Sequence, residues 1–225
     1  MDPLAGSTWS RPETVAGFVR SPPNEALLDC AAELRAGRTG CWALDIGCGA
    51  GRNAIPLASS GWNVVGLDLS APMVEAAQRR TAELTGGSAT FAVAPMDALP
   101  VASLRFDLVI AHGIWNLART SAQFRAGVRE AARAACPGAE LFVFTFSRHT
   151  IPDAAVPVDG EAFVFTEFSG DPQCHLTEAQ LVSELSAGGF ERDRRWPLRE
   201  LNTRRPGQLE AGRAPVIWEG VFRKT

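Results

Sequence analysis

The chain has no tyrosine, only three histidines, no Cys-x-x-Cys pair and no long apolar run. Each absence excludes something. Without tyrosine, no phenol is available to polarise a bound ligand. The five cysteines, Cys30, Cys41, Cys48, Cys136 and Cys174, are odd in number and lack paired spacing. That argues against a disulfide framework or a zinc ribbon and suits a reducing compartment. Runs such as "LVIA" and "LFVF" fall far short of the roughly 20 residues a spanning helix needs, so no membrane partner is expected. The opening "MDPLAGSTWS" has neither the basic nor the apolar region of a secretory signal. Basic excess is missing too, the net charge being −3 over 225 residues. A surface built to grip nucleic acid normally tilts basic, so none is expected as a partner. Arg192, Arg194 and Arg195 read as a solvated edge. The expectation is a cytoplasmic protein, monomer or homodimer.

What is present is an ordered alternation of strand and helix patterns. At 46% hydrophobic the chain can bury a proper core, and its length fits one domain over residues 1–225. Residues 1–40 hold a proline-rich start and a helical stretch from Ala26 to Leu34, together read as an N-terminal helical lid. From residue 41 the rhythm becomes regular. "CWALDI", "NVVGLDL", "ATFAVA", "FDLVIA" and "AELFVFTF" read as strands. Helices are expected from Arg52 to Ser60, from Ser70 to about Leu84, and from Thr120 to Cys136, the last stopped by Pro137–Gly138. Residues 147–176 break the rhythm with prolines, glycines and phenylalanines and read as an irregular substrate-side insertion. In 177–225, Thr177 and Gln180 form a capping-box pattern ahead of a helix. "FERDRRW" and "PVIWEGVFRK" read as the last strands. Strands apolar on both faces, alternating with helices, mean a parallel sheet covered on both sides: an α/β doubly wound fold, with 41–146 as its ligand-binding core.

Ligands of such sheets bind at the C-terminal strand ends. The first such end reads "ALDIGCGAGRN", residues 43–53. No lysine follows its glycines, so a phosphate loop of the GxxxxGK[ST] kind is excluded. The dinucleotide pattern GxGxxG fails at its third position, which is Arg52. Asp45, two residues before the first glycine, would repel a pyrophosphate at a cost of a few kcal/mol at close range and would welcome a cationic amino group. Asp68, 17 residues past Gly51, ends the second strand where a carboxylate accepts ribose hydroxyls. Asp97 follows the third strand and is placed to accept from an adenine amino group. The ligand implied has a ribose, an adenine, a positive end and no pyrophosphate.

These pieces, "ALDIGCGAGRN", "VVGLDLSAPMVEAA", "PMDALP" and "FDLVIAHGIWN", resemble the class I S-adenosylmethionine-dependent methyltransferases over about residues 41–146. "GCGAGRNAIPLASSGWNVVGLD" looks most like the small bacterial tellurite-resistance and thiopurine-methyltransferase type. The resemblance implies a Rossmann-like, mostly parallel seven-stranded sheet with an antiparallel C-terminal strand, and S-adenosyl-L-methionine as cofactor. It implies that Gly47, Gly49 and Gly51 let the cofactor approach the backbone, and that Asp45 supports its amino group. Asp68 would bind the ribose, Leu69 and Met73 would flank the adenine, and Met96, Asp97 and Ala98 would frame it. Ala111 and His112 would lie beside the sulfonium.

Methyl transfer from a sulfonium is an in-line displacement that rests mainly on alignment and exclusion of water. Where the acceptor must lose a proton, His112 and His149, each following a strand, are the candidate bases. Arg148 is a candidate for an anionic acceptor, and Trp115 and Phe165 for the pocket wall, with Phe146, Phe163 and Phe168. No metal site is expected, because Cys174–His175 has no partner spacing. The position after the fourth strand reads "HGIW", and "SPPN" at 21–24 lies elsewhere. Neither supplies the [DNS]PP[YFW] sequence of nucleic-acid amino-methyltransferases, so a small-molecule acceptor is expected. Two other readings stay open: a non-catalytic cofactor-binding regulator or partner subunit, and a nicotinamide-dependent oxidoreductase.

Overall fold

The structure is a computed structural model that describes residues 2–203 and 214–225. Residues 204–213, part of the expected C-terminal region, lie outside the described residues. Two helices come first, α1 (Pro12–Arg20) and α2 (Glu25–Arg35). Then β1 (Trp42–Ile46), α3 (Ala54–Ser59), β2 (Asn63–Asp68), α4 (Ala71–Arg80), β3 (Ser88–Val93), β4 (Phe106–His112), α5 (Ser121–Ala134) and β5 (Ala135–Phe146) alternate. A short hairpin, β6 (Val164–Phe165) with β7 (Gln173–Cys174), precedes α6 (Glu178–Ala187), β8 (Phe190–Arg192), β9 (Arg199–Leu201) and β10 (Ile217–Lys224).

The sheet runs β3-β2-β1-β4-β5-β10-β8, with β9 pairing β10 beyond that path. Strands β1 to β5 pair in parallel, and β10 is antiparallel to β5. The doubly wound, mostly parallel sheet with an antiparallel C-terminal strand is therefore observed. Alternate residues feed two cores. One face packs Val109, Leu141 and Phe222 against α5, α6 and the β6–β7 hairpin. The other packs Leu108, Ile110 and Phe142 against Leu27 and Cys30 of α2 and Leu57 of α3. Order reverses between β1 and β4, the switch point at which open α/β sheets bind ligands.

Local chemistry explains the ends. Ser70 accepts from the Met73 N–H and Thr120 from the Gln123 N–H, capping α4 and α5. The capping box of Thr177 and Gln180 is formed in both directions. Four details differ from expectation. Helix α3 starts at Ala54, because residues 51–53 turn instead. Helix α4 stops at Arg80 and gives way to a 3-10 turn over Thr81–Glu83. Helix α5 ends at Ala134, and Pro137–Gly138 sits inside β5, not at a helix stop. Ala135 pairs with Phe106 and Glu140 with Leu108, so the residues between them bulge out of register. Proline lacks a ladder donor and Gly138 has φ +76°, which suits a bulge. Finally, residues 147–176 are not wholly irregular, since they hold the hairpin, and its Val164 and Cys174 enter the first core.

Candidate active site

The glycine loop between β1 and α3 is held by the backbone of β2. Gly47 and Cys48 both donate to the Leu67 carbonyl, at 2.7 and 3.0 Å. Gly47 has φ +73°, and a Cβ there would lie 2.7 Å from Ile114 Cβ. Only glycine fits both the left-handed backbone and the close approach. Gly49 donates to Asp68 Oδ2 at 2.8 Å, while Ser70 N–H reaches Oδ1 at 2.8 Å. Asp68 is thus clamped at the loop with both oxygens engaged, and burial still pushes its carboxyl above the ordinary range.

Asp45 has the more exposed chemistry in a buried place. It is 1% accessible, and its Oδ2 has no hydrogen-bond partner. Burial first, and then the Asp68 charge, push its carboxyl up to about 7, against the opposing pull of Arg52. An unpaired buried carboxylate oxygen is costly, and a cationic ligand would satisfy it. A pyrophosphate would add a third anion to two acids. The bare backbone at Gly47 and the orphan oxygen of Asp45 therefore fit an adenosyl sulfonium with a free amino group.

His112 ends β4 and points to the α2/α3 side. Its ring stacks on Phe144 with centroids 4.0 Å apart. His112 Nε2 accepts from Arg52 at 3.0 Å and from Asn24 Nδ2 at 3.3 Å. The same guanidinium nitrogen also lies 3.4 Å from Nδ1, and this ring of donors favours the neutral imidazole. Burial, and then the Arg52 charge, lower its pKa to about 3. Asn24 also donates from Nδ2 to Glu219 Oε2 at 2.6 Å, while its Oδ1 caps α2 at Leu27 N–H. Asn24, Arg52 and Glu219 were not expected site residues. Asn24 caps α2 in the structure, and Glu219 lies 195 positions away from it in the chain.

The other expected residues fall into distinct places. Leu69 follows Asp68 and is half-buried. Met73 is packed with Ala50 and Ala76 under Val15 and Phe18 of α1. Met96 and the side chain of Ala111 are sealed in the first core, whereas Ala98 is exposed. Asp97 accepts from Gln123 Nε2 at 3.2 Å. Phe18 lies over the glycine loop, its Cδ1 3.0 Å from where a Gly49 Cβ would stand, and Trp9 meets it edge to face. Phe18 of α1 thus lies against the loop, whereas α2 packs into the second core.

Trp115 corrects the expectation of a pocket wall. It is fully buried in the first core, edge-on to Phe124. Arg148 corrects the expectation of a free anion site. Its guanidinium brackets the backbone carbonyls of Ile151, Pro152, Asp153 and Ala155 and lies 4.9 Å over Phe165. Phe165 is buried beneath it. His149 is 62% exposed and bonded through Nδ1 to Glu200 at 2.7 Å. Cys174 turns its sulfur to the Ala118 carbonyl, and His175 sits among Phe146, Phe165 and Phe168. Among the described residues no helix is long and apolar enough to cross a membrane.

Comparison with known proteins agrees with this geometry. Residues 43–138 match the family described as "Methyltransferase domain". The chain is 30% identical over 150 residues to a ubiquinone biosynthesis O-methyltransferase of Methylobacterium sp. (strain 4-46), covering 65% of this chain and 58% of that protein. It is 35% identical over 171 residues to a demethylmenaquinone methyltransferase of Corynebacterium urealyticum, covering 66% of each. Among solved structures, a SAM-dependent methyltransferase from Methanosarcina mazei shares the fold with TM-score 0.72 and 23% identity, over 90% of this chain and 98% of that one. The chain thus spans less than two thirds of the length of the ubiquinone relative. Sheet order, glycine loop, acid positions and family match converge: the chain belongs to the class I S-adenosylmethionine-dependent methyltransferase superfamily.

Proposed function

We propose that the chain is an S-adenosylmethionine-dependent methyltransferase acting on a small molecule. The observation that carries this reading is the pair of acids at the glycine loop. Asp45 offers a buried, unpartnered oxygen, and Asp68 is clamped by Gly49 and Ser70 at the end of β2. Asp45 receives the amino group of the cofactor's amino-acid end. Arg52, within Coulombic reach of Asp45, suits the carboxylate of the same zwitterion. Asp68 takes the ribose hydroxyls, and Leu69, Asp97 and Ala98 border the adenine at the ends of β2 and β3. When bound, the cofactor supplies an electrophilic methyl on a positive sulfur.

The chain's part is then alignment and exclusion of water. Phe18 and Trp9 cover the loop from above. His112 serves by position: its Nε2 lone pair is already shared by Arg52 and Asn24. A group with a pKa near 3 is a weak base at neutral pH. The relatives named for ubiquinone and menaquinone synthesis support a small, ring-bearing acceptor.

Calorimetric titration with S-adenosylhomocysteine tests the reading. Saturable binding, with no competition from a nicotinamide dinucleotide, is the expected result. Binding of the dinucleotide alone would overturn it. Turnover of labelled methyl groups against phenols, amines, thiols and carboxylates then separates an enzyme from a non-catalytic binding subunit.

A further inference from the structure

Three strands put a stacked aromatic pair and a carboxylate in one row. His112 of β4 is the register partner of Phe144 of β5, and Phe144 is the register partner of Glu219 of β10. Glu219 lies on the same side of the sheet as His112, two residues from Val221 of the second core. The row therefore leads from the glycine loop, past the neutral His112, to an acid on the far side of Phe144.

The partners of Glu219 are few. Its Oε2 accepts from Asn24 Nδ2 at 2.6 Å, and among the described residues its side chain makes no other hydrogen bond and no ion pair within 4 Å. Arg199, its register partner on β9, is exposed and forms no bridge to it. Asn24 spends both Nδ2 hydrogens, one on Glu219 and one on His112, and its Oδ1 on the cap of α2. The amide is fixed at three points, so it holds Glu219 Oε2 in place and leaves the carboxylate its remaining acceptor capacity.

Resting on the methyltransferase reading, we propose that Glu219, positioned by Asn24, is the acceptor-side anchor. It receives an N–H or O–H of the methyl acceptor and takes the proton that acceptor gives up. The bond that forms joins the acceptor heteroatom to the methyl carbon. The bond that breaks is carbon–sulfur, whose electron pair stays on sulfur. The heteroatom's proton passes to the Glu219 carboxylate, so one positive and one negative charge vanish together. The acceptor class this selects is a hydrogen-bond donor: an amine, an N–H heterocycle or a hydroxyl. Asp45 and Asp68 are engaged on the cofactor side, and no tyrosine exists to share the task.

The test needs no knowledge of the natural acceptor. Sinefungin carries an amine where the sulfonium carries its methyl, so its ammonium faces the acceptor side. S-adenosylhomocysteine carries nothing there. Both are titrated calorimetrically into the full chain and into Glu219→Gln and Asn24→Ser, the serine preserving the helix cap. The expected result is S-adenosylhomocysteine affinity unchanged within about twofold, with sinefungin weakened by about fivefold or more in Glu219→Gln, the scale of a lost charge-assisted hydrogen bond. Asn24→Ser, which frees the carboxylate without removing it, is expected to weaken sinefungin by a smaller factor. Parallel changes for both ligands, or none for sinefungin, would overturn the role of Glu219 while leaving the methyltransferase reading intact. Failure of both ligands to bind the wild-type chain would bring down that reading itself. If Glu219→Gln fails to fold, the ratio measured in Asn24→Ser decides.

Discussion

Asp45 and Asp68 are both acids at strand ends, yet their surroundings give them opposite tasks. Asp68 has each oxygen held by a backbone N–H, so it is built as a rigid acceptor. Removing it leaves those donors without their acceptor and, on the proposed reading, the ribose without a partner. Asp68→Ala is therefore expected to weaken S-adenosylhomocysteine by roughly 10-fold or more, in line with about 1.5–3 kcal/mol for a charged hydrogen bond. Calorimetry checks it, and unchanged affinity would remove the ribose role. His112 belongs to the same scale. Its replacement by alanine is expected to lower methyl turnover more than cofactor affinity, because Asn24, which holds Glu219, loses one of its partners. With its pKa at about 3, the wild-type rate should show no inflection from this ring between pH 6 and 7. A bell limb there that disappears in His112→Ala would restore it as a base. The acids were legible in the sequence because strand ends and glycine spacing locate them. The neutrality of His112 was not, because it comes from Arg52 and Asn24, residues of other loops.

At the scale of elements, the capping box of α6 read directly from sequence into structure. Thr177 and Gln180 close the start of α6, and Ser70 and Thr120 close α4 and α5. Thr177→Ala is expected to cost about 1 kcal/mol, or about 2–4 °C in Tm. Cofactor affinity should stay unchanged, since α6 lies under the other face of the sheet. Urea denaturation beside a binding titration checks both halves. The mistaken end of α5 has an instructive cause. Pro137–Gly138 stops helices well, but here Ala135 has already paired with Phe106. Sheet pairing outbid local propensity and turned the stop signal into a bulge. Strand β9, "REL", was illegible because three residues without apolar alternation carry no pattern; β10 recruits them.

For the whole molecule, the buried titrating groups set how stability follows pH. Asp45 reaches about 7 in the folded, ligand-free chain against an ordinary value of about 4. The folded chain then holds more protons than the unfolded one between about pH 4 and 7. That contribution is full below pH 4 and is lost as pH rises to 7. His112, lowered to about 3, and His175, lowered to about 4 by burial among aromatic rings, act in the opposite sense. Their contribution is present above about 6.5 and lost as pH falls toward 4 and 3. Asp45→Asn deletes only the first effect. Relative to wild type, the ligand-free variant should gain stability steadily from pH 4 to 7, by at most about 1.4 kcal/mol per pH unit. Urea titrations at pH 5 and 7 measure the difference, and a flat difference would mean that Asp45 is ionised throughout.

By itself the sequence determined the doubly wound architecture, the glycine loop and the acids around it, because strand periodicity, turn glycines and caps act over a few residues. The tertiary structure alone decided which side chains meet at the end of the sheet. It sealed Trp115 in the core, bound Arg148 to its own loop, and brought Asn24, Arg52, His112 and Glu219 together from four separate segments. The reason is physical: such contacts depend on strand order and register across β4, β5 and β10, and no local pattern along the chain encodes them.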